Sequence, residues 1–104
     1  MSSPTQRSKA YLEKQGYRVA ITEHWCPFSR RRKDLFGVID MLCLKGSETL
    51  AVQTTSGSNV SARVKKIAES DAIADIRSAG WSVHVHGWRK NAKGRYVLTE
   101  VDVS

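Results

Sequence analysis

Asp40 and Gln53 are the residues of this chain whose types and spacing are best suited to chemistry. Asp40 lies within an apolar run between Ile39 and Met41, where an unpaired charge would be costly. The chain then turns and returns as a second apolar segment that carries Gln53 and Thr55. Because side chains alternate across a strand, Gln53 and Thr55 face the same side. We therefore expect Asp40, Gln53 and Thr55 to share one pocket, whose carboxylate and amide oxygens can bind a hard divalent cation.

The charge of Asp40 requires a partner, and two kinds of partner remain open. A bound metal ion or a buried arginine would each compensate a carboxylate in an apolar strand. The pairing of Asp40 with Gln53 across a hairpin favours the metal ion, and this argument rests on the sequence motif alone.

Asp34 and Glu23 are the other acids near this hairpin. Asp34 lies six residues before Asp40, which on a continuous extended strand is about 20 Å at ~3.3 Å per residue. That distance excludes a shared ion unless the Phe36-Gly37 pair bends the chain. Taken alone, Asp34 is interpreted as a surface acid paired with a neighbouring Arg or Lys. Glu23 ends the preceding strand and is a candidate auxiliary ligand.

The elements that must position these residues follow from the hydrophobic periodicity. Ser3 or Thr5 can cap a first amphipathic helix that ends at Gly16. The remaining pattern predicts a strand at 17–23, a loop at 24–33, the two hairpin strands, one long helix at 60–79 and strands at 81–88 and 96–101. The expected order is α-β-β-β-α-β-β, an α/β (α+β) fold in a single domain spanning residues 1–104.

The chain is strongly basic, which favours a polyanionic partner. It has 17 Lys and Arg against 10 Asp and Glu, a net charge of +7 and a pI near 9.8, so nucleic acid is the leading partner class. No apolar run approaches the roughly 20 residues of a membrane span, and the N-terminus lacks the apolar core of a signal peptide. We therefore expect a cytoplasmic protein that does not enter the membrane, with Cys26 and Cys43 as reduced thiols.

The element order and the acid-to-polar-pair spacing resemble those of the PD-(D/E)XK nucleases, in particular small Holliday-junction resolvases and phage nucleases. The resemblance covers nearly the whole chain and implies a restriction-endonuclease-like fold with a mixed central sheet. Position by position, Glu13 matches the helical Glu of the family, Asp40 the strand Asp, Gln53 the Glu and Thr55 the Lys. Gln53 loses a charge but keeps a carbonyl oxygen, whereas Thr55 cannot supply the positive charge of a Lys.

The resemblance implies an endonuclease that depends on Mg²⁺ or Mn²⁺ and hydrolyses phosphodiester bonds in DNA. Its metal ligands would be Asp40 and Gln53, with Glu13 or Glu23 as the auxiliary acid. A cation must replace the missing Lys, because the transition state is anionic. In the superfamily this Lys also occurs on the neighbouring helix, where the present chain has Arg63, Lys65 and Lys66; we expect Lys65 or Arg63 to take the role.

Two cationic blocks suit the phosphate backbone of DNA. The blocks consist of Arg30, Arg31, Arg32 and Lys33 before the hairpin, and of Arg89, Lys90, Lys93 and Arg95 between the last two strands. Trp25, Phe28 and Trp88 lie beside them and can stack on unpaired bases. A branched or structured DNA read by shape, cut by a homodimer, fits so small a chain.

Two other functions remain open. Gln53 and Thr55 depart from the Glu and Lys of the family pattern. Such departures are also expected in a DNA-binding module that kept the nuclease fold and lost catalysis. A small basic domain that docks on an acidic protein partner is the third alternative.

The histidines have a separate interpretation. His84 and His86 are two residues apart on one strand face, and a zinc site could be imagined from them and Cys26. Because this spacing matches no structural zinc signature, we interpret both as polar strand residues.

Overall fold

The protein is an α+β fold built on one mixed sheet. This computed structural model describes residues 3–104, except for the side chain of Arg32. The elements in chain order are helix α1 (Pro4–Lys14), strands β1 (Arg18–Ile21), β2 (His24–Cys26), β3 (Arg31–Lys33), β4 (Met41–Lys45) and β5 (Glu48–Ser56), a 3₁₀ turn (Gly57–Asn59), helices α2 (Val60–Ala68) and α3 (Ile73–Ser78), and strands β6 (Ser82–Lys90) and β7 (Tyr96–Asp102).

The central sheet has five strands in the order β1-β4-β5-β6-β7. The β1–β4, β4–β5 and β6–β7 pairs are antiparallel, and the β5–β6 pair is parallel. A parallel pair needs a crossover connection, and α2 and α3 supply it. The mixed sheet confirms the expected combination of strands.

Helix α1 begins and ends where its capping residues require. The side chain of Ser3 accepts a hydrogen bond from the backbone N–H of Gln6, and Pro4 occupies the first turn, where its missing N–H costs nothing. The chain leaves the helix through Gly16, whose φ of +98° favours glycine. The helix buries Leu12 against the sheet. The predicted first helix is therefore confirmed, with Ser3 as its cap.

Alternation along β5 divides the core between the two sheet faces. Leu50 and Val52 pack with Leu12 of α1 on one face, whereas Ala51 packs with Ile67 of α2 on the other. All five side chains are at most 1% exposed. The sheet thus lies between α1 and the α2–α3 pair, which places residues of both helical layers near the strand ends.

The structure differs from the predicted order in two places. Residues 24–33 were expected to be a loop, but β2 and β3 pair there as an antiparallel hairpin, with Trp25 opposite Arg32. The expected helix at 60–79 is two helices, because Ser70 ends the first: its Oγ accepts a hydrogen bond from the N–H of Ala72 at 3.2 Å and competes with the helical backbone. Ile67 and Ile76 stay buried on either side of the break, which explains why the periodicity continues through it.

The predicted absence of a membrane span can be checked on the helices. None of the helices within residues 3–104 combines the length and the hydropathy needed to cross a bilayer.

Candidate metal centre

Three carboxylates converge at one edge of the sheet. One oxygen from each of Glu23, Asp34 and Asp40 lies within 4.8 Å of the other two. They line a cavity of about 300 Å³ whose other lining residues are Gln53, Thr54, Arg63 and Lys66. Oxygen ligands at this separation can hold a hard divalent cation.

A tight loop brings Asp34 into this cluster. Phe36 and Gly37 have φ angles of +54° and +77°, so the chain reverses at the pair where a bend was expected. The N–H groups of Val38 and Ile39 donate to the carbonyl of Leu35 at 3.2 and 3.0 Å, which closes the loop. Asp34 is partly exposed and pairs with a Lys, as expected of it alone, but it also belongs to the acidic cluster.

The backbone of Asp40 is fixed by two strands. Its carbonyl accepts hydrogen bonds from the N–H groups of Thr22 and Glu23 at 2.8 and 3.2 Å, and its own N–H donates to the carbonyl of Val52 at 2.9 Å. Its Oδ2 accepts from the N–H and the hydroxyl of Thr54 at 2.7 and 3.2 Å. Asp40 directly precedes β4 rather than lying inside it, so its carboxylate lies at the sheet edge and reaches the cavity.

The environment of Asp40 favours its protonated form. Burial is the largest cause, followed by a hydrogen bond with the carboxyl group of Asp34 and by the negative charges of Asp34 and Glu23; the N–H of Thr54 acts in the opposite direction. Together they raise the pKa of Asp40 to about 7. Without a cation, Asp40 therefore retains a proton near neutral pH, and a bound cation would replace it.

Gln53 supplies the observation that tests whether a cation fits. Its side chain is 1% exposed, and its Nε2 donates to Oδ2 of Asp34 at 3.3 Å. Its Oε1 is buried and has no hydrogen-bond partner among the described residues. An unpaired buried carbonyl oxygen is costly, and a hard cation between Gln53 and the carboxylates would satisfy it. The donor set fits Mg²⁺ or Mn²⁺.

Two positively charged side chains of α2 line the same cavity. Nζ of Lys66 lies 3.7 Å from Oδ2 of Asp34, and Arg63 is a second lining residue. Lys65, expected as one of two alternatives, is not among the lining residues in the described part of the chain. Of the two residues expected from the sequence, Arg63 lines the cavity and Lys65 does not; Lys66, one residue further along α2, lines it instead.

A close approach of β6 to the crossover fixes the position of α2. A Cβ atom on Gly87 would overlap Cγ2 of Val60 and lie 3.2 Å from Cα of Gly57. The start of α2 therefore packs directly on the strand backbone. This contact sets where Arg63 and Lys66 lie relative to the carboxylates.

The first helix contributes a different residue from the one expected. Glu13 is half exposed and pairs with Lys9 at 3.2 Å, and it does not line the cavity within the described residues. Instead the hydroxyl of Thr5 donates to Oε1 of Glu23 at 3.1 Å and lies 2.9 Å from the hydroxyl of Thr54. Thr5 is a polar residue on the buried face of α1, and that position was the sequence signal for its contact with Glu23.

Thr55 does not share the pocket with Asp40 and Gln53 as expected. It is buried on β5, but the described residues that line the cavity include Thr54 in its place. Thr54 lines the cavity because both its main-chain N–H and its hydroxyl donate to Oδ2 of Asp40, at 2.7 and 3.2 Å.

The first cationic block borders the acidic cluster. Arg31 and Lys33 line a second cavity together with Asp34, Gly37 and Lys66, so the two cavities share residues. Arg30 is exposed in the turn of the β2–β3 hairpin, and the side chain of Arg32 lies outside the described residues.

The second block is the exposed end of the β6–β7 hairpin, formed by Arg89, Lys90, Lys93 and Arg95. The aromatic residues differ in availability: Trp25 is 59% and Phe28 97% exposed, whereas Trp88 donates its Nε1–H to Oγ of Ser8 at 2.8 Å. Trp25 and Phe28 can reach a ligand, and Trp88 packs against α1.

Comparisons with known proteins leave the family open. No family model matches the chain, and no curated protein is significantly similar to it.

Proposed function

We propose that this protein is a Mg²⁺- or Mn²⁺-dependent DNA endonuclease with a restriction-endonuclease-like fold. The observation that carries the proposal is the cavity lined by the three carboxylates and Gln53, whose buried Oε1 has no hydrogen-bond partner among the described residues. Lys66 lies against the same cluster. Phosphodiester hydrolysis requires carboxylate oxygens that hold a metal ion and a positively charged side chain beside it, and one open cavity contains both kinds of group.

The topology supports the resemblance to PD-(D/E)XK nucleases. If the β2–β3 hairpin is treated as an insertion, the sheet elements follow the order of a helix, an antiparallel three-strand meander, a helical crossover and a parallel fourth strand. Asp40 lies at the start of the second meander strand, and Gln53 lies on the third, where the resemblance requires the acidic and polar positions.

The sheet directions support DNA as the substrate. Strand β1 ends beside the start of β4, and β4 starts beside the end half of β5. Strands β5 and β6 are parallel, so their ends lie at the same sheet edge. The β2–β3 hairpin and the β6–β7 turn therefore both project from the edge that holds the acidic cluster. Two cationic blocks near the same edge of the sheet suit contacts with a phosphate backbone on both sides of the cluster.

Each group in the cavity has a role in this proposal. Asp34, Asp40 and the amide oxygen of Gln53 hold the cation, with Glu23 as the auxiliary ligand. When bound, the cation polarises the scissile phosphate and makes water more acidic. Lys66 and Arg63 contribute positive charge to the pentavalent transition state in place of the Lys that Thr55 replaces.

The exposed aromatic residues favour a structured substrate. Phe28 forms the tip of the β2–β3 hairpin and Trp25 one of its strands, next to the arginines that would bind phosphates. Rings in this position stack on bases that lack a partner, as occur at junctions and flaps. A homodimer would present two cavities to two strands.

The second candidate function is a DNA-binding module without catalytic activity. The absence of a Lys at the Thr55 position favours it, because Arg63 and Lys66 approach the cavity from a different element. The two functions share the basic surface and differ in whether the bound DNA is cut.

Nicking of a labelled four-way junction and a matched linear duplex, in Mg²⁺ and in Mn²⁺, tests the proposal. Asp40→Asn preserves the acceptor for Thr54 and removes the charge, so we expect cleavage to fall by a hundredfold or more, about the loss of one catalytic electrostatic group, with DNA binding intact. Glu13→Gln is the matched control, since this acid lies outside the cavity, and it should cut normally.

The other outcomes separate the alternatives. Salt-sensitive binding without cleavage by the wild-type protein in either metal would favour the binding module. Failure to bind any DNA at moderate salt would exclude both functions and leave the protein-docking alternative.

A further inference from the structure

A second cluster of ligand atoms lies between the last two strands. His84 and His86 are on β6, and β7 places Asp102 and Glu100 directly opposite them. Oε2 of Glu100 lies 2.6 Å from Nε2 of His86 and 3.2 Å from Nδ1 of His84. One ligand atom from each of the two histidines and Glu100 lies within 4.8 Å of the other two.

The second nitrogen of each imidazole has its own partner. Nδ1 of His86 lies 2.8 Å from Oγ of Ser8, in the buried layer beneath α1. Nε2 of His84 lies 3.7 Å from Oδ2 of Asp102. A histidine that binds a metal typically uses one ring nitrogen for the metal and hydrogen-bonds the other to a carboxylate or hydroxyl. His86 has this arrangement through Ser8, whereas the second nitrogen of His84 faces Asp102 at 3.7 Å, beyond hydrogen-bond distance. Both histidines turn their first nitrogen towards Glu100.

The hydroxyl of Ser8 can support either state of His86. It accepts the indole N–H of Trp88 at 2.8 Å, and it still has one hydrogen to donate and a second lone pair. Without a metal, Ser8 donates to Nδ1 of His86, and the Nε2–H of the ring donates to Glu100. With a metal on Nε2, the proton lies on Nδ1, which donates to Ser8. Ser8 keeps its place in this exchange, whereas Glu100 must withdraw from Nε2 of His86, because their 2.6 Å separation is shorter than the roughly 3.3 Å between two ligands of a tetrahedral zinc ion.

The strand register also gives the cluster access from solvent. His86 is fully buried, but the side chains of His84 and Glu100 are 22% and 35% exposed. An ion can therefore enter from the outer side, with His86 as the floor of the site. Both histidines lie on β6, as the sequence predicted, and the sheet and α1 enclose His86.

We propose that His84, His86 and Glu100 form a Zn²⁺ site that is separate from the acidic cluster. Two imidazole nitrogens and one carboxylate oxygen are a zinc donor set that leaves the fourth tetrahedral position open. The same set is unsuited to Mg²⁺, which prefers oxygen ligands only. The chain thus offers an all-oxygen site at one place and a nitrogen-rich site at another, and it separates the two cations by ligand type.

Titration of the metal-free protein with Zn²⁺ by calorimetry, and with Co²⁺ by visible absorption, tests the site. We expect one Zn²⁺ per chain and a Co²⁺ spectrum typical of four-coordination with nitrogen ligands. His84→Ala and Glu100→Gln should each weaken Zn²⁺ binding by about tenfold or more and abolish the rise in melting temperature that Zn²⁺ produces. Glu100→Gln keeps a hydrogen-bond acceptor for both histidines, so it also serves as the variant that preserves the fold.

Two controls make the result specific. Cys26→Ser removes a thiol whose pKa the hydrogen bonds from Ser29 lower to about 7, and Asp40→Asn removes a ligand of the acidic cluster; both should bind Zn²⁺ as the wild type does. The proposal is overturned if the wild type binds no Zn²⁺, if both β6–β7 variants bind it normally, or if either control loses it. None of these outcomes depends on whether the protein cuts DNA.

Discussion

Asp34 and Asp40 lie six residues apart in the chain, and their carboxylates share a hydrogen bond and one cavity. The reversal at Phe36 and Gly37 makes this possible. Burial and the neighbouring carboxyl group of Asp34 raise the pKa of Asp40 to about 7, so Asp40 retains a proton into the neutral range. The candidate metal centre should therefore be sensitive to pH around neutrality.

The affinity for Mg²⁺ or Mn²⁺ should rise with pH. The folded pKa of Asp40, about 7, lies above its ordinary value of 3.8, so its contribution to the stability of the metal-free protein is complete below about pH 4 and is lost as the pH rises through about 7. A cation competes with that proton, so its affinity should increase by about tenfold between pH 6 and pH 8 and then level off. Calorimetric titration with Mn²⁺ at three pH values measures this change.

Asp40→Asn is the control for the pH dependence. The amide keeps the size of the side chain and does not titrate, so metal binding by this variant should be weak and almost independent of pH. Equal Mn²⁺ affinity of the wild type at pH 6 and pH 8 would contradict the retained proton on Asp40.

Lys66→Ala and Lys65→Ala are a matched pair of neighbours on α2. Only Lys66 lies beside Asp34, with 3.7 Å between Nζ and Oδ2. If Lys66 stabilises the transition state, its loss should lower the cleavage rate by about a hundredfold or more. Lys65→Ala removes the same charge outside the cavity and should change only the salt-dependent binding of DNA. Single-turnover cleavage of a junction measures both, and equal rates in the two variants would remove Lys66 from the active site.

Gln53→Glu should separate metal affinity from stability. The Nε2 of Gln53 donates to Asp34, and a carboxylate at this position would replace that bond with repulsion. We expect the free energy of unfolding of the metal-free variant to fall by about 1–3 kcal/mol and its affinity for Mg²⁺ to rise. Gln53→Leu, which lacks any oxygen ligand, is the control and should bind Mg²⁺ more weakly than the wild type. Denaturant unfolding and calorimetry give the two quantities, and a fall in metal affinity for Gln53→Glu would be inconsistent with a ligand at this position.

The sequence predicted the parts of this fold that depend on local periodicity. Strong alternation and clear stop signals, such as Gly16 after α1, located the helices and sheet strands. The β2–β3 hairpin was not predicted because each strand has only three residues, too few to show an apolar alternation, and β3 consists of cationic residues alone. The break at Ser70 was not predicted because the buried residues keep their helical spacing across it.

The site was harder to predict because it depends on contacts between distant segments. Asp40 and Gln53 were identified, since an acid in an apolar run is visible without a structure. Asp34 could not be predicted because its position depends on a loop with two positive φ angles. Thr5 could not be predicted because its position depends on the packing of α1 on β5. The choice of Lys65 or Arg63 from the three candidates Arg63, Lys65 and Lys66 depended on the rotation of α2 about its axis, which the sequence leaves uncertain by about one turn.

Gly87→Ala tests how the contact between β6 and α2 positions the cations. The added methyl group would overlap Val60, whose branched side chain has little freedom to move aside. We expect the free energy of unfolding to fall by about 1–3 kcal/mol and cleavage to fall because α2 shifts away from Asp34. Val60→Ala is the control: in its background Gly87→Ala should cost less, with a coupling of about 1 kcal/mol. Denaturant unfolding of the four proteins measures that coupling, and additive effects of the two substitutions would show that Val60 does not set the position of the helix.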